Sequence, residues 1–176
     1  MLSHKNMQRQ KTAVLGLFAA AAVILGYVES LIPVFAGIPG IKLGLANLAV
    51  LFVLQRFSFR EAAMISAVRI LIIGFLFGNM FSILYSLAGA ALSLAVMTLL
   101  LRYTSCSIPL VSVAGGIAHN TGQLVIAMFL VHNTSLVFYA PALLISGILT
   151  GLVIGFLTAE VQRRIPLQSK KTPDSP

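Results

Sequence analysis

Acidic residues are nearly absent from this chain. Of 176 residues only four carry a carboxylate side chain, Glu29, Glu61, Glu160 and Asp174, against twelve Lys and Arg. Charged residues of both signs make up 9%, where a soluble domain of this length carries roughly a quarter. One cysteine, Cys106, excludes an internal disulfide and any cysteine-built metal cluster. No G-x-x-x-x-G-K-[ST] loop occurs, so the chain cannot hydrolyse ATP by that route. No nucleophile, base and orienting group stand together in the sequence, and His119 has no acidic residue near it. A metal site is not expected, since no second His or carboxylate flanks that histidine. No cofactor is expected either.

What fills the chain is apolar sequence. It is 59% hydrophobic with a mean hydropathy of +1.00. Apolar runs recur at about the 20 residues needed to cross a ~30 Å hydrocarbon core. The first run exceeds a signal-peptide core and lacks a clear cleavage site, so it reads as a span. The expectation is an all-α integral membrane protein of six transmembrane helices. The spans fall at residues 12–28, 41–54, 62–78, 80–101, 108–131 and 136–159. The first eleven residues read as a cytoplasmic lead, 12–160 as the transmembrane domain and 161–176 as a flexible cytoplasmic tail. The second span is short for a crossing, and its start could extend back to Pro39, where a first-turn proline is tolerated.

Basic residues set the orientation. With the N-terminus inside, the inner segments carry Lys5, Arg9, Lys11, Arg56, Arg60, Arg102, Arg163, Arg164, Lys170 and Lys171, while the outer loops carry only Lys42. Both termini are therefore expected in the cytoplasm. The net charge of +8 then reflects topology, and nucleic acid is not an expected partner. Lipid is.

The segment 29–47, ESLIPVFAGIPGIKLGLAN, stands apart from its surroundings. It has two prolines, three glycines (Gly37, Gly40 and Gly44), and one residue of each charge sign, Glu29 and Lys42. It is expected to leave the membrane at Glu29, fold back and re-enter near Lys42, roofing a small-molecule site. The polar residues of the spans agree with an outward pocket. Asn47, Asn79, Gln123 and Tyr139 fall in the outer half, with Ser82, Tyr85 and Ser86 below Asn79. Arg69, His119 and Asn120 lie near mid-depth, and the inner half is almost wholly apolar.

Each of these residues has a plain structural reading as well. Ser82, Ser86 and Ser93 could return their hydroxyls to a carbonyl one turn earlier. Asn120 and Gln123, three apart on one helix face, could address one ligand together or clamp a neighbouring helix. Arg69 is the sharpest case. A guanidinium near the bilayer centre costs at least ~2.5–3.5 kcal/mol on insertion scales and needs a partner or a wet cavity. Only Glu29 and Glu61 are candidate acidic partners, both near span ends, which leaves room for an anionic ligand. Span one carries Gly16-x-x-x-Ala20 and Ala22-x-x-x-Gly26, small residues that let helices approach closely in lipid. They serve either internal packing or docking of another membrane subunit.

The segment from Glu29 through P-x-x-x-G-x-P-G-x-K-x-G-x-A-N (Pro33 to Asn47), with Arg69 and the H-N-x-x-Q of span five, resembles the Gx transporters. That membrane family is often labelled component I of heptaprenyl diphosphate synthase. The resemblance covers about residues 11–164. In size, span count and character the family is similar to the substrate-binding S components of energy-coupling factor importers. It implies an S-component-like bundle in the plasma membrane of a bacterium, capturing a small anionic nutrient outside. The implied partners are a coupling transmembrane subunit and two ATPase subunits, docked through a span-one face matched here by Gly16, Ala20, Ala22 and Gly26. The expected substrate-binding set is Glu29, Lys42, Asn47, Arg69, Asn79, His119, Asn120 and Gln123. Lys42 and Arg69 would neutralise a carboxylate or phosphate. Glu29 would latch onto Lys42 or meet a ligand amine.

The synthase label implies an alternative, a non-catalytic membrane subunit associated with isoprenoid or quinone metabolism. Catalysis by this chain is not expected. Prenyl diphosphate synthases hold Mg²⁺ through aspartate-rich motifs, because hard cations require clustered carboxylate oxygens, and the one aspartate here is Asp174. A compact polar chamber would favour import, and an elongated apolar groove open to lipid the isoprenoid association.

Overall fold

A computed structural model of the chain describes residues 4–31 and 44–164. Among them the fold is all-α: α1 (His4–Leu31), α2 (Leu45–Arg56), α3 (Phe59–Phe77), α4 (Met80–Tyr103), α5 (Ile108–Val131) and α6 (Ala140–Arg164). A 3₁₀ turn, Thr134–Tyr139, leads into α6. Four stretches are long and apolar enough to cross a membrane: Gln8–Leu31, Met80–Tyr103, Ile108–Val131 and Thr134–Arg164. This is a multi-pass membrane protein. The other two helices depart from a simple span. α3 has 19 residues but carries Arg60, Glu61 and Arg69. α2 has 12 residues, about 18 Å of helix at 1.5 Å per residue.

Three boundaries differ from expectation, each for a local reason. α1 runs back to His4, so the polar lead is helical from that residue on. α2 starts at Leu45, preceded by Gly44 in left-handed backbone with φ +71°. The sixth span starts with the 3₁₀ turn and becomes α-helical at Ala140, with Pro141 in its first turn. The re-entrant course expected for residues 32–43 and the flexible tail from 165 lie outside the described residues.

The helices pack in chain order, with α1 against both α2 and α3, and α2 also touching α6. Short α2 is the core. Ala46, Ala49 and the run Val50–Leu54 are all buried, and Phe52 is fully enclosed. Its ring stacks on Phe18 of α1, centroids 4.4 Å apart. Between α5 and α6 the contact is backbone on backbone. A Cβ on Gly151 would sit 2.7 Å from Val113 Cα, and one on Gly116 would sit 2.5 Å from the Gly147 carbonyl oxygen. Such approach gains dispersion where lipid leaves little hydrophobic drive. The Gly147-x-x-x-Gly151-x-x-x-Gly155 row that makes it possible is legible in the sequence by the same rule applied to span one.

The two ends of the bundle differ. At one, Lys11 Nζ meets Glu61 Oε1 at 2.5 Å, tying α1 to α3. There too the Gln162 amide donates to Gln55 Oε1, and Arg56 Nη2 reaches the Gln162 carbonyl at 3.4 Å. Arg102, Arg163 and Arg164 lie at this same end. The opposite end, where α1 finishes and α2 begins, holds the polar residues described next.

Candidate functional site

The site is built around Arg69. α3 brings this side chain into the bundle, and its Nη2 donates to Asn47 Oδ1 of α2 at 2.9 Å. Its Nε is buried without a hydrogen-bond partner among the described residues. Glu29, 7% exposed at the end of α1, lies within electrostatic reach of Arg69 without making a contact ion pair. Its Oε1 instead accepts the backbone N–H of Gly44 at 2.5 Å. The left-handed conformation of Gly44 points that N–H back toward α1, an arrangement that suits glycine because it has no Cβ to clash.

Glu29 and Arg69 border a chamber of about 260 Å³. α1 contributes Glu29 and Ser30, α3 contributes Arg69, and α4 lines it with Ser82, Tyr85 and Ser86. His119 and Gln123 reach it from α5, one turn apart. Ile70, Ile73 and Phe77 of α3 add apolar wall, and Gly26, Gly74 and Gly78 border it without side chains of their own. Gln123 is 4% exposed, and neither Nε2 nor Oε1 of its amide has a hydrogen-bond partner among the described residues. An orphaned buried amide costs about 1–3 kcal/mol per group, which a ligand in the chamber would relieve. The ensemble offers a cation, amide and hydroxyl donors, and a carboxylate.

Of the eight residues expected to bind substrate, the fold gathers Glu29, Arg69, His119 and Gln123 on the chamber, with Asn47 behind Arg69. Asn120 faces the other way. Its Nδ2 donates to the Leu143 carbonyl at 2.6 Å and clamps α5 to α6. A three-residue step turns a helix through 300°, enough here to divide Asn120 and Gln123 between two neighbours. Asn79 is exposed and caps α4, its Oδ1 accepting the Ser82 N–H at 2.8 Å. Lys42 lies outside the described residues. Ser30 was not singled out in the sequence. Ser82 and Ser86 read either as pocket residues or as backbone-bonding hydroxyls; both line the chamber, and Thr98, Thr121, Thr150 and Thr158 bond the carbonyl one turn earlier. Among the described residues no three of His, Cys, Asp and Glu come together as a metal site would need.

The small residues of α1 split between two faces. Ala22 is fully buried, and a Cβ on Gly26 would lie 3.2 Å from the Ile73 side chain. Gly16 and Ala20 are exposed, and nothing lies within 4 Å of a Cβ placed on Gly16. Leu17 and Ile24, 68% and 61% exposed, continue the outward side.

The described helices form a multi-pass membrane bundle with a partly enclosed chamber at one end. Residues 18–161 match the family of heptaprenyl diphosphate synthase component I, and the chain belongs to it. Neither a curated protein nor a solved structure matches.

Proposed function

We propose that the protein is a non-catalytic membrane subunit associated with heptaprenyl diphosphate metabolism, binding one small anionic ligand in the Arg69 chamber. The observation that carries this is the family match over residues 18–161, joined to a chamber whose one cation among the described residues, Arg69, donates to a neutral partner, Asn47. Arg69 supplies charge and a planar donor fork suited to carboxylate or phosphate. Gln123, Ser82 and Ser86 supply directional hydrogen bonds. The synthase chemistry belongs to a separate soluble subunit, because this chain lacks the carboxylates needed to hold Mg²⁺ and diphosphate. All six helices sit in the membrane, α2 and α3 as shorter or tilted members. Both termini face the cytoplasm of a bacterium, with the chamber opening outward. The placement of Lys11, Arg56, Arg60, Arg102, Arg163 and Arg164 at the opposite end supports that orientation.

Two observations favour a second reading, the substrate-capture subunit of an energy-coupling factor importer: the compact chamber itself, and one face of α1. The outward side of α1 joins small Gly16 and Ala20 to bulky, exposed Leu17 and Ile24, a surface able to receive a coupling subunit. Chemical cross-linking in native membranes followed by mass spectrometry separates the two. Recovery of a soluble prenyl diphosphate synthase subunit supports the first reading. Recovery of a membrane coupling subunit with ATPases replaces it with the second, and recovery of neither overturns both partnerships.

A further inference from the structure

The Arg69 chamber has a neighbour of opposite character. Between α4, α5 and α6 lies a groove of about 290 Å³. Its walls are apolar: Phe81 from α4, Leu124, Ala127 and Leu130 from α5, and Leu143 from α6. For scale, a dry cavity of ~150 Å³ accepts benzene. The groove and the chamber share two residues, Tyr85 and Gln123. The shared wall therefore contains the amide whose nitrogen and oxygen are both buried without hydrogen-bond partners among the described residues. That amide is open to a ligand that spans the two cavities.

We propose that the ligand is a single-chain amphiphile, its phosphate head beside Arg69 in the chamber and its hydrocarbon chain in the α4–α5–α6 groove. The proposal deepens the reading of the chamber as an anion site and rests on it. Charge decides which part goes where. The chamber carries the guanidinium, hydroxyls and amide, while the groove presents almost only carbon. The Gln123 Nε2–H donates to the phosphate or its bridging oxygen where head meets chain. That satisfies the amide's buried Nε2–H. Burying the chain adds affinity in proportion to the apolar area removed from water. A head-only ligand would leave the groove to bilayer lipid.

The test uses the full chain in lipid nanodiscs, with empty nanodiscs as background, and compares methyl phosphate with geranyl phosphate. Geranyl phosphate should bind at least tenfold more tightly. Filling the groove with Ala127→Phe should remove most of that advantage and leave methyl phosphate binding unchanged. Alkyl phosphates from butyl to decyl should bind progressively better to the unsubstituted protein until the groove is full, which keeps the test independent of whether Ala127→Phe folds. Equal affinity for methyl and geranyl phosphate, or a flat chain-length series, would overturn the amphiphile while leaving the anion chamber standing. Geraniol displacing geranyl phosphate at equal concentration would show that the head is not recognised. Binding of none of these phosphates would remove the chamber reading and this inference with it.

Discussion

The Glu29 carboxylate at the end of α1 accepts the backbone N–H of Gly44, the residue that starts α2 with φ +71°. One acidic side chain thus closes the chamber wall and leaves a negative charge beside Arg69. The two substitutions that probe it should act differently. Gly44→Ala places a Cβ in left-handed backbone and should cost about 1–2 kcal/mol, lowering the melting temperature by roughly 2–8 °C for a chain of this size. Glu29→Gln keeps an acceptor oxygen for Gly44 but removes the countercharge. It should remain folded and bind anions more tightly. Titration with methyl phosphate checks it, and weaker binding by Glu29→Gln would show that Glu29 contacts the ligand favourably.

Arg69 should govern affinity. Arg69→Lys keeps the charge and loses the planar fork, so it is not conservative at this site. Arg69→Gln removes the charge at similar length. Binding should fall in the order wild type, Lys, Gln. A charge-assisted hydrogen bond contributes ~1.5–3 kcal/mol, so the Gln variant should lose at least about tenfold. Calorimetric titration measures the loss, and size-exclusion chromatography shows whether the Gln variant stays monodisperse. Unchanged affinity with a large drop in melting temperature would make the Arg69–Asn47 bond a structural clamp only.

The close approach of α5 and α6 should tolerate no side chain. Gly151→Ala sets a Cβ 2.7 Å from Val113 Cα and 2.9 Å from the Ser112 carbonyl oxygen. Backbone cannot turn away as a side chain can, so the helices must separate, at about 1–3 kcal/mol for overpacking. Gly16→Ala is the control, with nothing within 4 Å of its Cβ. Thermal unfolding followed by intrinsic fluorescence should show a clear drop for Gly151→Ala and none for Gly16→Ala.

Helix content and the polar end of the bundle were legible from apolar run length and from where Glu29, Asn47 and Arg69 fell along it. Helix phase was harder. Asn120 and Gln123, three apart, read either as addressing one ligand together or as clamping a neighbouring helix, and the fold divides them, Asn120 clamping α6 and Gln123 facing the chamber. Which neighbour lies across each face depends on tertiary packing, and that is not written in spacing. Asn79 read as a site residue by depth alone, although Asn just before an apolar run is an N-cap signal by local sequence. The groove beside the chamber left no pattern, because Leu124, Ala127 and Leu130 look like any lipid-facing stripe. Glu29 was expected to latch onto Lys42, which lies outside the described residues, or to meet a ligand amine. Its bond from the Gly44 backbone N–H was not foreseen, because a backbone donor gives no compositional signal.

The division of small residues on α1 yields the last prediction. Ala20 is exposed, and Gly26 packs against Ile73. Leu at position 20 adds bulk to the outward side only. It should leave the melting temperature and phosphate binding unchanged and abolish co-purification of any membrane partner that docks on this face, since close helix approach in lipid depends on small contact residues. Gly16→Leu should act in the same way. Leu at position 26 would drive into α3 and should lower stability whether or not a partner exists. Affinity purification from native membranes, with thermal unfolding of each variant, checks all three. Retention of every partner by Ala20→Leu and Gly16→Leu would remove this face as a docking surface and leave the importer reading with the chamber alone as support.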